Sequence, residues 1–269
     1  MTVQERFNIS MSGRGSQALL FAHGYGCDQS MWRFVTPAFE DQYRIILFDL
    51  AGSGRAEPSA YSWTRHSSLH GYAMDILEIV RGLALDQVVF VGHSVSAMIG
   101  VLAANMQPDR FDRLIMIGPS PCYINDGEYT GGFSRADIEG LVDAVDSNYL
   151  GWASSMAPVI MGTPERPELI DELRNSFCRT QPDVARAFAK VTFLSDNRSD
   201  LQELQISSLV IQVTDDVIAP VAVGRYVQSQ VRDCELELLD TRGHCPHLSA
   251  PELTIAAMQA FLQRERAHD

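Results

Sequence analysis

Short, unbroken apolar runs alternate along this chain with longer stretches in which apolar residues recur every three to four positions. The runs ALLFAHG (18–24), RIILFDL (44–50), VVFVG (88–92), LIMIG (114–118), SLVIQV (208–213) and ELELLD (235–240) predict strands. Most are apolar at consecutive rather than alternate positions, the pattern of a strand covered on both faces in a parallel sheet. Helical periodicity fills the intervals 67–84, 95–106, 221–230 and 251–264. The last of these opens with Pro251 at a first-turn position followed by Glu252, a favourable helix start. The alternation predicts an α/β fold: a mostly parallel central sheet with helices on both faces.

The rhythm breaks between about 122 and 195, where helical periodicity takes over completely. Ile138, Leu141, Val142, Val145, Tyr149 and Trp152 share one face; Leu169, Ile170, Leu173 and Phe177 form a second stripe; Val184, Ala187, Phe188 and Val191 form a third. Ser134 and Thr163–Pro164–Glu165 read as helix N-termini. The expected organisation is a core of residues 1–121 and 196–269, with an all-helical lid, 122–195, inserted over the strand ends.

Charge and cysteine content narrow the function. The net charge is −13 and Lys190 is the only lysine. So acidic a surface repels phosphate backbones and anionic headgroups, which argues against nucleic acid and membrane partners. No apolar run has transmembrane length and the polar start MTVQERFNIS is not a signal peptide; a cytoplasmic location is expected. The five cysteines, Cys27, Cys122, Cys178, Cys234 and Cys245, are odd in number and scattered, as for reduced thiols rather than a disulfide framework. None has the spacing of a metal site, and no cofactor motif is present. FDLAGSGRAEP (48–58), with Asp49, Gly52 and Gly54, is a structural turn rather than a phosphate loop.

Chemistry concentrates at strand ends. In FVGHSVSAMIG (90–100), Ser94 directly follows one apolar run and directly precedes a helical one, the strand–turn–helix setting of a serine nucleophile. The pattern G-x-S-x-G is imperfect, because Ser96 replaces the last glycine; the alternative is a helix N-cap serine. A nucleophilic serine needs a base and an orienting acid. His244 lies in TRGHCPHLSAP, just past the last strand; its competitor His247, nearer the helix, would bond backbone or face solvent. The acid belongs to TDDVIAP, where Asp215 and Asp216 both qualify. FAHGYG (21–26) has the H-G-x-G form that supplies an oxyanion N–H; the expected donors are the backbone of Tyr25 and of Val95. Trp152, Met156, Phe193 and the Tyr25 ring are expected pocket walls.

HGYGCDQSMW, FDLAGSG, GHSVSAMIG, IGPSPCYIND, QVTDDVIAP and GHCPHLSAP together resemble the RsbQ-like α/β hydrolases of bacteria and their plant relatives, the strigolactone and karrikin receptors. The resemblance runs nearly the full length and includes YTGGF and NYLGWA of the expected lid. It implies the α/β-hydrolase fold, places nucleophile, acid and base on Ser94, Asp216 and His244, and places the oxyanion donors on Tyr25 and Val95. Tyr25 stands where phenylalanine is usual in that group, so an extra hydroxyl beside the pocket is expected to bear on ligand preference. Two functions follow as expectations. One is a monomeric serine esterase acting on a small, largely apolar ester or lactone. The other is a slow hydrolase that serves signalling, in bacteria with a PAS-domain phosphatase as partner. A dehalogenase would need aspartate at position 94; a serine lyase would not.

Overall fold

The apolar runs become the strands of one sheet. A computed structural model describes residues 1–264. Its strands are β1 (Ser10–Ser12), β2 (Ala18–Ala22), β3 (Arg44–Leu47), β4 (Val88–His93), β5 (Phe111–Ile117), β6 (Ser207–Asp215) and β7 (Cys234–Arg242). They are ordered β1-β3-β2-β4-β5-β6-β7. Every pairing is parallel except β1 with β3. Each residue of β2 and β4 is buried, which requires cover on both faces.

The helices are α1 (Val3–Arg6), α2 (Leu69–Gly82), α3 (Val95–Met106), α4 (Arg135–Ser147), α5 (Tyr149–Met161), α6 (Pro167–Arg179), α7 (Pro182–Phe193), α8 (Val221–Gln230), α9 (Pro246–Ser249) and α10 (Pro251–Leu262). Helix α3 packs on β4 and β5, α2 on α3, and α8 and α10 on β6 and β7. The Asp49 turn is structural: its buried carboxylate accepts from Gln29 N, Arg55 N and Asn8 Nδ2 at 2.7–2.9 Å.

Helices α4–α7 lie between β5 and β6, and the chain leaves and returns side by side through an antiparallel bridge between Cys122 and Asp196. Ser134 caps α4, with Asp137 returning the bond in a capping box. Two expectations change. The stripe drawn from Ile138 to Trp152 divides at Asn148, whose side chain caps a new helix by accepting from Gly151 N at 3.0 Å. The start expected at Thr163–Pro164–Glu165 is instead a turn, and α6 begins at Pro167. A residue before proline is driven out of the helical region; Arg166, at φ −123° and ψ 67°, blocks a helix running in from 164.

Because β2, β4, β6 and β7 are mutually parallel, the segments that follow them emerge at one edge of the sheet. Tyr25, Ser94, Asp216 and His244 all lie on such segments, at the strand ends where open α/β sheets bind ligands.

Candidate active site

Ser94 sits between β4 and α3 at φ 57° and ψ −123°, strained for a residue with a side chain by roughly 1–3 kcal/mol. Backbone bonds hold it there: Ser94 N donates to Ile117 O at 2.8 Å, and its carbonyl accepts from Ala97 N at 3.0 Å. Its side chain makes no cap to α3; its Oγ lies 2.8 Å from His244 Nε2. The turn leaves no room for bulk, since a Cβ on Gly92 would stand 2.5 Å from the Ser96 carbonyl oxygen. Ser96 has its own part. Its buried Oγ donates to His23 O at 2.5 Å, tying the start of α3 to the FAHGYG loop.

His244 Nδ1 lies 2.8 Å from Asp216 Oδ2, while Oδ1 accepts from Ile218 N at 2.8 Å and Ala219 N at 3.2 Å. Burial alone would raise the Asp216 carboxyl, but charge attraction and hydrogen bonding from His244, with the two backbone N–H groups, hold it below its ordinary value. An ionised Asp216 accepts from Nδ1–H, so the Nε2 lone pair of neutral His244 faces the Ser94 hydroxyl. The Asp215 side chain points outward into solvent, and its backbone carbonyl accepts from Gly243 N at 2.8 Å. On its other side, His244 N donates to Ile160 O at 2.7 Å, one of the final α5 carbonyls that has no acceptor role within the helix.

His244 heads a column of buried rings, His244, His93, His247 and Trp32, with successive centroids 4.9, 4.4 and 4.7 Å apart. His93 Nε2–H donates to the His244 carbonyl at 2.8 Å. Burial pushes His93 down to about 3 and His247 well below the ordinary histidine value, so both are neutral. His247, expected at the backbone or in solvent, is fully buried between rings with neither nitrogen bonded among the described residues. His93, Cys245 and His247 also bring their ligand atoms within 4.8 Å of one another, a grouping invisible in their sequence spacing.

Val95 is the first residue of α3, so its N–H has no intrahelical acceptor. Tyr25 occupies a tight turn closed by Cys27 N to Gly24 O at 3.3 Å. Gly24 lies against the Ser94 turn, where a Cβ would meet Ser94 Cβ at 3.3 Å and His93 Nδ1 at 2.6 Å. His23 anchors the loop, accepting from Leu50 N at 3.0 Å and donating through Nδ1 to Gly24 O at 2.9 Å.

The profile of the "Alpha/beta hydrolase family" matches residues 19–257. The chain belongs to the alpha/beta hydrolase family. It is 37% identical over 263 residues to the strigolactone esterase D14 of Arabidopsis thaliana, covering 97% of each chain. It is 35% identical over 266 residues to the karrikin insensitive 2 receptor CA of Petunia hybrida, covering 98% of each. Among solved structures, a hydrolase from Oleispira antarctica superposes with a TM-score of 0.95 at 43% identity, covering 98% of this chain and 97% of that one.

In this alpha/beta hydrolase Ser94 and His244 open into a narrow cavity under the α4–α7 insertion. Tyr25, Trp152 and Phe193 line it, as the sequence suggests; Met156 does not, and Ile160 does. Pro158 removes a backbone N–H from the interior of α5, two residues before Ile160. The Tyr25 ring is surrounded by Trp152, Phe177, Phe188 and Phe193 at centroid distances of 5.7–6.0 Å. Its hydroxyl, expected to bear on the ligand, donates instead to Ala185 O of α7 at 3.0 Å. Tyr123 and Thr192 also line the cavity. Tyr123 lies within the IGPSPCYIND stretch, but nothing there singles it out, and nothing in the surroundings of Thr192 marks it, because it reaches the site through the path of the insertion rather than through a motif.

Proposed function

We propose that this chain is a serine hydrolase that cleaves a small, largely apolar ester or lactone through an acyl-enzyme. What carries the reading is the hydrogen-bonded line Ser94–His244–Asp216, with both contacts at 2.8 Å, at the floor of a cavity walled by aromatic rings. In this reading Ser94 Oγ attacks the carbonyl as His244 Nε2 takes its proton, and Asp216 fixes the tautomer and stabilises the imidazolium. The Tyr25 and Val95 N–H groups meet the developing oxyanion. His244 then returns the proton to the leaving alcohol and activates the water that releases the acid. Residues 1–121 and 196–264 act as the catalytic core, the expected span to 269 running beyond the described residues. The 122–195 insertion acts as a lid that excludes bulk water, so the electrostatic contacts beneath it gain strength.

Turnover of short p-nitrophenyl acyl esters tests this. Wild type should hydrolyse them, and Ser94→Ala should lose at least about a thousandfold in kcat/KM while keeping its fold by circular dichroism. Equal activity in the two proteins would refute the nucleophile.

A second reading rests on the names of the full-length plant relatives, one an esterase and one a receptor: hydrolysis here would be slow and would serve a signal. Single-turnover kinetics with a persistent adduct in intact-protein mass spectrometry favour it; rapid multiple turnover favours the metabolic esterase.

A further inference from the structure

Apart from Ser94 and His244, the cavity wall is mostly ring and aliphatic surface, yet two hydroxyls stand in it without partners. Tyr123 and Thr192 each keep only 1% of their surface exposed, both line the cavity, and neither Tyr123 Oη nor Thr192 Oγ1 makes a well-formed hydrogen bond among the described residues, although the Ser94 hydroxyl lies near enough to Tyr123 to favour its phenolate slightly. They belong to one wall: the Tyr123 ring packs edge-on against Phe193, the residue next to Thr192, at 5.1 Å. A buried polar group without a partner is a liability that native proteins rarely keep without a use. Thr192 makes the point sharply. A threonine inside a helix has the carbonyl four residues back as a ready acceptor, but Oγ1 in the last turn of α7 makes no such bond.

Resting on the hydrolase reading above, we propose that Thr192 and Tyr123 form a recognition subsite for a second acceptor oxygen of the substrate. The ligand is then a neutral ester or lactone whose reacting carbonyl lies at Ser94. An ether or ketone oxygen lies against the two hydroxyls, and the remaining surface is apolar. Burial pushes the Tyr123 phenol up to about 12, against a smaller lowering by the Ser94 hydroxyl, so it stays a donor throughout the neutral range. No lysine or arginine lines the cavity among the described residues, so carboxylates and phosphates find no counter-charge there. Discrimination of this kind is steep, because an analogue lacking the oxygen leaves both hydroxyls unmet.

The test uses two esters that differ by one atom, p-nitrophenyl valerate and p-nitrophenyl 3-methoxypropanoate. Their affinities are measured by calorimetric titration of Ser94→Ala protein, so the subsite is read without turnover. The methoxy ester should bind the tighter of the two. Adding Thr192→Val or Tyr123→Phe should reduce that preference about three- to tenfold, whereas Thr192→Ser should retain it. Equal affinity for the two esters, or a preference that none of the variants moves, overturns the subsite. Turnover by wild type, scored separately, addresses the hydrolase reading: its absence alongside an intact binding preference would sink that reading and leave the subsite standing.

Discussion

Ser94 is held at φ 57°, a conformation a side chain enters only under constraint, and backbone bonds to Ile117 and Ala97 supply the constraint. The same economy shows at the two aspartates. Asp216 uses one oxygen to hold its own loop and the other to orient His244, while Asp215 presents its carboxylate to solvent and contributes only its carbonyl. Asp216→Asn should lower kcat on the order of 10³–10⁴-fold through the wrong imidazole tautomer, and Asp215→Asn should leave it nearly unchanged; the reverse order in steady-state assays would reassign the acid. Adjacent carboxylates look alike in a one-dimensional pattern, and only burial separates them. Ser94 and His244 were legible because each follows an apolar run in a glycine-marked turn. The partnerless hydroxyls of Tyr123 and Thr192 were not, since being without a partner is a property of the packed molecule.

At the level of elements, the His244 loop is clamped between the Asp216 loop and the end of α5. Gly243 N donates to Asp215 O, and His244 N donates to Ile160 O. Gly243 itself lies at φ 88°, and a Cβ there would approach the Met161 carbonyl oxygen to 2.0 Å. Gly243→Ala should therefore displace the base, lowering kcat at least tenfold and costing about 1–3 kcal/mol of stability; a variant with wild-type kcat and melting temperature would show that the clamp is slack. Strands buried on both faces announced themselves as apolar runs. Strand β1 did not, because Ser10, Met11 and Ser12 are all exposed and the strand exists only through its pairing with β3. The insertion's helices were visible as stripes, but their ends depend on Asn148 as a cap and on Arg166 preceding Pro167, features that a stripe of apolar positions does not report.

Across the whole molecule, stability should be sensitive to mild acid. His23, His93 and His247 are all lowered by burial, His93 to about 3, whereas in the unfolded chain each titrates near 6.5. Below that value the unfolded state binds protons the folded state refuses, so the contribution is intact above about pH 6.5 and is lost as pH falls toward the folded values. Each histidine that stays neutral in the folded state then weakens folding as the pH falls. The depressed Asp216 acts only lower, below about pH 4. The urea midpoint should fall steeply between pH 7 and pH 5; a flat profile there would show that the buried rings take up protons without unfolding. None of the helices among the described residues is long and apolar enough to cross a membrane. The chemistry turns on Ser94, and the most direct measurement is fluorophosphonate labelling followed by intact-mass and peptide mapping. The expected result is one adduct on the peptide carrying Ser94, absent in Ser94→Ala and strongly slowed in His244→Asn. Labelling of Ser94→Ala at the wild-type rate, or an adduct on any other residue, would contradict it.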